Sequence, residues 1–182
     1  MKEDRGGERV WHRPVLLAEV VGFLAPAPGK LIVDATCGTG GHTQALLERG
    51  ARVVALDRDP QALALARERL AAFQARLQLV KGDFRRLREL LASLEINEVD
   101  GVLFDLGVSS LQLDTPARGF SFREEAPLDM RMDPSQSRTA GELVNRLPQE
   151  ELARILWEYG EERYARRIAR AIVRARDKAP IE

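Results

Sequence analysis

Carboxylates and glycines come together in one stretch, Val33-Asp-Ala-Thr-Cys-Gly-Thr-Gly-Gly-His-Thr43, where a strand-forming run passes into a glycine-rich turn and then into helix-forming residues. Gly38, Gly40 and Gly41 carry no Cβ, so backbone N–H groups there can approach a bound molecule closely. Asp57 closes the next apolar run about 20 positions further on, the place from which a carboxylate takes the two hydroxyls of a ribose. A glycine turn that serves only helix-on-sheet packing is the rival reading. Asp34 stands at the lip of the turn. A carboxylate there would repel a pyrophosphate but attract the sulfonium and amino group of S-adenosyl-L-methionine, so charge favours that donor over NAD. Asp83 and Phe84, ending a third apolar run, fall where an adenine could be hydrogen-bonded and packed against a ring.

Asp105 lies in a fourth apolar run, Gly101-Val-Leu-Phe-Asp-Leu106. With strands in the order 3-2-1-4, that run neighbours the first across the topological switch point, so Asp105 and Asp34 would face one another over a ligand crevice. A carboxylate so placed can accept a hydrogen bond from an exocyclic amine and aim the nitrogen lone pair at a methyl group, which is catalysis by positioning. The alternative role is a cap on the turn of Ser109 and Ser110. Cys37 reads as a small buried thiol rather than a nucleophile, because neither histidine is spaced to activate it. His12 and His42 lack the accompanying Cys, His or carboxylate spacing of a zinc site, and no structural metal is predicted.

These residues need a scaffold, and the hydrophobic pattern supplies one. Strand-like runs at Leu31 to Ala35, Ala51 to Asp57, Leu77 to Gly82 and Val99 to Leu106 alternate with helical segments at Gly41 to Arg49, Gln61 to Phe73 and Arg85 to Leu94. That alternation is the mark of a doubly wound, mostly parallel sheet. A further helix, Val15 to Leu24, precedes it. After Leu106 no strand-like run follows, and Leu113 to Ser137 is rich in Pro, charge and turn residues. Thr139 with Glu142 makes a capping box. Leu152, Ile155, Leu156 and Tyr159 then form an apolar stripe, and a last helix from Glu161 to Lys178 places Tyr164, Ile168, Ile172 and Val173 inside and arginines outside. The fourth strand, apolar on both faces, has no later strand to pair with, so the chain reads as incomplete.

The whole chain of 182 residues carries 28 basic and 28 acidic side chains, so net charge points to no polyanion. Of the basic residues 24 are Arg, which reflects genome composition or supplies forks for phosphate. A single cysteine and the lack of a secretory start predict a cytoplasmic protein, and no apolar run approaches the roughly 20 residues that span a bilayer.

The blocks Cys37-Gly-Thr-Gly-Gly-His42, Ala55-Leu-Asp-Arg-Asp-Pro60, Asp105-Leu-Gly-Val-Ser-Ser110, Arg118-Gly-Phe-Ser-Phe122, Pro127-Leu-Asp-Met-Arg-Met-Asp-Pro134 and Tyr159-Gly-Glu-Glu-Arg163 occur in that order behind His12-Arg-Pro-Val-Leu-Leu17. In these the sequence resembles the bacterial 16S rRNA (cytosine-N4)-methyltransferase family, known as RsmH or MraW. The resemblance implies S-adenosyl-L-methionine as donor, N4 of a cytidine in the decoding region as acceptor, and 16S rRNA or the small ribosomal subunit as partner; a homodimer is compatible with it. It places cofactor contacts on Gly40, Gly41, His42, Asp57, Phe84, Asp105 and Gln112, of which His42 and Gln112 rest on the resemblance alone. It also implies a helical domain inserted into the methyltransferase core.

The expected architecture is therefore an α/β, Rossmann-like class I methyltransferase core over residues 1–113 and a helical insertion over residues 114–182, with later core strands missing. Asp105 followed by Leu-Gly-Val lacks the aromatic that stacks on a flipped base in many DNA amino-methyltransferases, so stacking must come from elsewhere. Phe120 and Phe122, beside Arg118, Arg123 and Arg131, suit unstacked RNA bases, and Arg167 and Arg170 suit phosphates. A catalytically silent binding module, a different exocyclic-amine methyltransferase and an NAD-linked reductase are the alternatives.

Overall fold

A computed structural model of the chain describes residues 14–182. His12, part of the first sequence block, lies outside the described residues. The chain divides into two compact units, the first ending at Leu111 and the second running Gln112–Glu182.

In the first unit, strands β1 (Leu31–Asp34), β2 (Arg52–Asp57), β3 (Leu77–Lys81) and β4 (Gly101–Leu103) form one parallel sheet in the order β3-β2-β1-β4. Helices α1 (Leu17–Leu24), α2 (Gly41–Glu48), α3 (Pro60–Arg69) and α4 (Leu87–Ser93) accompany it. Because successive strand side chains point to opposite faces, Ile32, Val53 and Ala55 join Leu46, Leu47, Ala66 and Leu70 on one side. Val33, Val54 and Leu56 meet Leu87, Leu90 and Leu91 on the other. Both faces are covered, so the strands can be apolar throughout, each buried Leu, Ile or Val contributing about 1.5–3 kcal/mol. Asp59 starts α3, its Oδ1 accepting the Gln61 N–H at 2.9 Å, with Pro60 in the first turn where no N–H is needed.

The fourth strand is shorter than the sequence predicts. It ends at Leu103, because the Asp105 N–H turns to the Thr36 hydroxyl at 2.7 Å instead of continuing a ladder. Phe104, Leu106 and Val108 beyond it are exposed, and among the described residues no strand pairs with the outer side of β4.

Helix α5 (Ser110–Leu113) straddles the boundary between the units, and the second unit then carries α6 (Ala140–Arg146), α7 (Gln149–Glu158) and α8 (Ala165–Arg176). The capping box forms as the sequence predicts, with the Glu142 N–H on Thr139 Oγ1 at 3.1 Å and the Thr139 N–H on the Glu142 carboxylate at 3.4 Å. Helix α8 begins at Ala165, four residues later than expected, because Glu161 adopts a left-handed backbone (φ 49°) and Glu162 accepts the Tyr164 N–H. Ala165 and Ala169 let α8 pack closely, with Leu152 of α7 buried as well. Tyr159 and Tyr164, expected inside, are exposed. No helix among the described residues is long and apolar enough to cross a membrane.

Candidate functional site

The carboxyl ends of β1, β2 and β4 converge on the segment Thr36 to Gly40. Gly38 and Gly40 have φ of 53° and 84°, left-handed values that a side chain would strain. The turn is tied down by the Cys37 N–H on the Leu56 carbonyl and by the Gly40 N–H on the Cys37 carbonyl, both at 2.8 Å. A Cβ on Gly40 would stand 2.8 Å from a methyl of Leu70, which is fully buried. Helix α2 follows directly, and its first N–H groups give this end a partial positive charge.

Three acidic residues are joined to this one turn. Asp57 receives the Gly38 N–H on Oδ2 at 2.7 Å and the Asp59 N–H on Oδ1 at 2.9 Å. A carboxylate offers about four acceptor positions, so room remains for the hydroxyls of a ribose. Asp34 lies beneath the turn rather than on its lip. It is 1% exposed, with Oδ2 accepting the Thr43 hydroxyl at 2.7 Å and Oδ1 the Thr36 N–H at 3.2 Å. Burial pushes the carboxyls of Asp34 and Asp57 above their ordinary range, and the hydrogen bonds to each oppose that rise in part.

Asp105 is attached to the same turn through its backbone N–H, while its side chain remains 52% exposed. His42 fills the space behind it. Its Nε2 lies 3.0 Å from the Val15 carbonyl, which can only accept, so Nε2 carries a proton and Nδ1 faces Asp105 Oδ2 at 3.8 Å. The result is an anionic mouth over backbone donors, suited to a ligand with a positive centre and hydroxyls. Cys37 is buried and its thiol is pushed well up, chiefly by burial and next by Asp34, which removes it as a nucleophile near neutral pH.

Asp83 and Phe84 stand at the end of β3. Asp83 caps a short 3-10 turn through the Arg85 N–H, and Arg85 grips its Oδ2 with Nε at 3.0 Å and Nη2 at 2.7 Å. This pairing holds the Asp83 carboxyl below its usual range. An adenine amine would therefore share that carboxylate with Arg85. The Phe84 ring meets Phe104 edge to face, with centroids 5.7 Å apart.

Gln112 and the remaining candidates belong to the second unit. Gln112 is buried on α5. Arg118 is buried too, its Nη2 donating to the carbonyls of Arg131 and Met132 at 2.9 and 3.0 Å. Arg131 forks onto Asp129 at 2.6 Å and reaches the carbonyls of Pro134 and Gln136. Both guanidinium groups thus organise the loop. Phe120 is half-buried, Phe122 is fully exposed, and Arg167 and Arg170 project into solvent from α8.

Sequence reasoning passed over Thr36, Thr43, Asp59 and Phe104. Asp59 was readable as a cap before Pro60, but the two threonines have no signal until β1, β4 and α2 are brought together.

Residues 9–182 match the sequence model of the MraW methylase family. The chain belongs to that family. Among its relatives, the ribosomal RNA small subunit methyltransferase H of Geotalea uraniireducens is 51% identical over 174 residues, covering 94% of this chain and 56% of the relative. The proteins of the same name from Deinococcus radiodurans and Nocardioides sp. are 54% identical over 171 residues and 56% identical over 174, covering 94% and 93% of this chain and 54% of each relative. The chain thus spans about half the length of the curated relatives it matches. Among solved structures it is similar to a putative rRNA-methylase from Clostridium thermocellum, with 24% identity, a TM-score of 0.45, and coverage of 55% of this chain and 54% of that one. Every residue of the anionic mouth lies inside the span matched by the MraW methylase family.

Proposed function

We propose that this chain carries the donor-binding and base-positioning part of an enzyme that methylates N4 of a cytidine in the decoding region of small-subunit ribosomal RNA. The observation that carries the reading is the attachment of Asp34, Asp57 and Asp105 to a single left-handed glycine turn at the β1/β4 switch point, in a chain that belongs to a methylase family. The methyl donor is S-adenosyl-L-methionine. This chain's residues fit it: spare acceptor positions on Asp57 for ribose hydroxyls, a glycine backbone open to close approach at Gly38, and carboxylates to balance a cation. When bound, the donor supplies an electrophilic methyl group on a sulfonium.

Gly40, Gly41 and His42 would hold the donor's amino-acid end at the start of α2, Asp57 its ribose, and Phe84 with Phe104 the adenine. Asp105 accepts a hydrogen bond from the exocyclic amine of the base and turns the nitrogen lone pair toward the mouth. That nitrogen is a weak nucleophile because its lone pair is delocalised into the ring, so alignment and loss of water supply most of the acceleration. In the second unit Arg118 and Arg131 shape the loop that presents Phe120 and Phe122 to RNA, and Arg167 and Arg170 meet phosphates.

Calorimetric titration with S-adenosyl-L-methionine, paired with an Asp57→Ala variant, tests the donor assignment. The variant is expected to lose about 1.5–3 kcal/mol of binding through lost charge-assisted hydrogen bonds. Unchanged affinity would remove Asp57 from the site. Nucleoside analysis of small-subunit RNA after incubation with labelled donor tests the acceptor: label on any atom other than cytidine N4 overturns that part.

A further inference from the structure

The hairpin between α7 and α8 places three large aromatic side chains in water. Trp157, Tyr159 and Tyr164 are 63%, 73% and 65% exposed, although all three fall within eight consecutive positions of an otherwise ordered turn. Large aromatic side chains exposed this near one another in sequence are candidates for a contact site. The turn itself is held firmly. The Glu161 and Glu162 N–H groups donate to the carbonyls of Trp157 and Leu156, both at 3.1 Å, and the Tyr164 N–H donates to the Glu162 carboxylate at 2.7 Å. Gly160 is required, since a Cβ there would lie 2.8 Å from the Leu156 carbonyl oxygen. The rings are thus presented by a rigid backbone rather than a loose tail.

Charge beside the rings is asymmetric. Arg167, Arg170 and Arg174 are spaced three and four residues apart, which puts them on one side of α8, opposite buried Ala165 and Ala169, and Arg163 stands in the turn just before the helix. None of the four has an ion-pair or hydrogen-bond partner recorded for its side chain among the described residues, whereas Arg154 on α7 is bound by both Glu151 and Glu158. Of the acids near the tip, Glu158 is paired with Arg154 and Glu162 accepts the Tyr164 N–H, while Glu161 is exposed. The row from Arg167 to Arg174 extends about 10 Å along the helix, starting beside the aromatic tip.

We propose that this tip and row form a binding surface for single-stranded RNA, with unstacked bases lying on Trp157, Tyr159 and Tyr164 and the backbone phosphates on the arginines. The inference rests on the reading of the chain as acting on RNA and deepens it: the segment engaged here is unpaired. Base faces can stack on the rings and phosphates can pair with the guanidinium groups, and the local excess of positive charge suits a polyanion. Duplex RNA keeps its bases stacked and offers the arginines only phosphate, so the rings would distinguish the two forms.

A Trp11→Phe background leaves Trp157 as the sole tryptophan, since the chain has two. Titration with a short single-stranded RNA of mixed sequence is expected to quench Trp157 emission. Trp157→Ala and Tyr159→Ala should each weaken single-strand binding about tenfold, the effect of removing one stacked base. Tyr159→Phe should retain it, and the affinity for the same sequence as a duplex should not change. If the parent chain binds the single strand but the alanine variants bind it equally well, or lose duplex binding to the same extent, the aromatic surface is overturned while the RNA reading stands. If the parent binds neither RNA, both fall.

Discussion

Asp34 and Asp105 are both carboxylates joined to one turn, yet burial assigns them opposite tasks. Asp105 keeps its side chain in solvent and its backbone N–H on Thr36, a bond that survives truncation of the side chain. Asp105→Ala is therefore expected to change unfolding free energy by less than about 0.5 kcal/mol, as for an exposed position. On the proposed base-positioning role it should lower single-turnover methyl transfer, measured in the full-length protein, about 100-fold or more. Near-normal turnover would reduce Asp105 to a turn residue. Asp34 is the buried partner of Thr43, and burial raises its carboxyl from the ordinary value of 3.8. A carboxyl raised on folding binds its proton more tightly in the native state, so its contribution to stability is greatest at acid pH and declines as pH rises from 3.8 through the native value. Asp57 acts with the same sign, whereas Asp83 and Asp129, held down by Arg85 and Arg131, favour the fold above 3.8 and lose that contribution on acidification. Asp34→Asn should thus flatten the fall in melting temperature as pH rises above 3.8. A variant whose pH profile overlays the parent's would show that Asp34 does not titrate with folding.

Elements whose signals are local were legible in the sequence, and those fixed by distant partners were not. Thr139 and Glu142 announced α6, and the capping box is present with both of its bonds. Thr139→Ala should cost about 1 kcal/mol, measured by denaturant unfolding, and a loss near zero would mean the box contributes nothing beyond water. The parallel order β3-β2-β1-β4 likewise follows from alternating apolar runs and short crossovers. The end of β4 is not legible in the sequence because the apolar run continues past Leu103 to Phe104; what stops the strand is Thr36, 69 residues from Asp105 in sequence, taking its N–H. Tyr159 and Tyr164 satisfy a helical period, but Glu161 breaks that period with a left-handed residue, and the rings turn outward. Of the candidate site, the glycines and Asp57 were visible as a strand-turn-helix pattern. The withdrawal of Asp34 beneath the turn was invisible, because it depends on Thr43 one helical turn into α2.

Over the whole molecule, 28 basic and 28 acidic side chains cancel, but they are not evenly spread. Between Glu161 and Lys178, seven basic residues (Arg163, Arg166, Arg167, Arg170, Arg174, Arg176 and Lys178) face three acidic ones (Glu161, Glu162 and Asp177), a local excess of four. Arg176 is spent on the carbonyls of Val144 and Leu147, at 2.7 Å each, and so fastens α8 to α6. Arg167, Arg170 and Arg174 are exposed and their side chains pair with nothing among the described residues, so replacing them with Gln should leave unfolding free energy nearly unchanged. It should also leave donor affinity unchanged, since the carboxylates and glycines of the mouth belong to the first unit. RNA affinity behaves differently. Each phosphate contact with a single strand releases condensed counterions and contributes about 0.7 to the slope of log K against log salt, so losing three contacts flattens that slope by about 2. Filter binding over a salt series reads it directly. An unaltered slope with intact donor binding would move the phosphate-contacting surface off α8, to the exposed loop carrying Phe122 and Arg123.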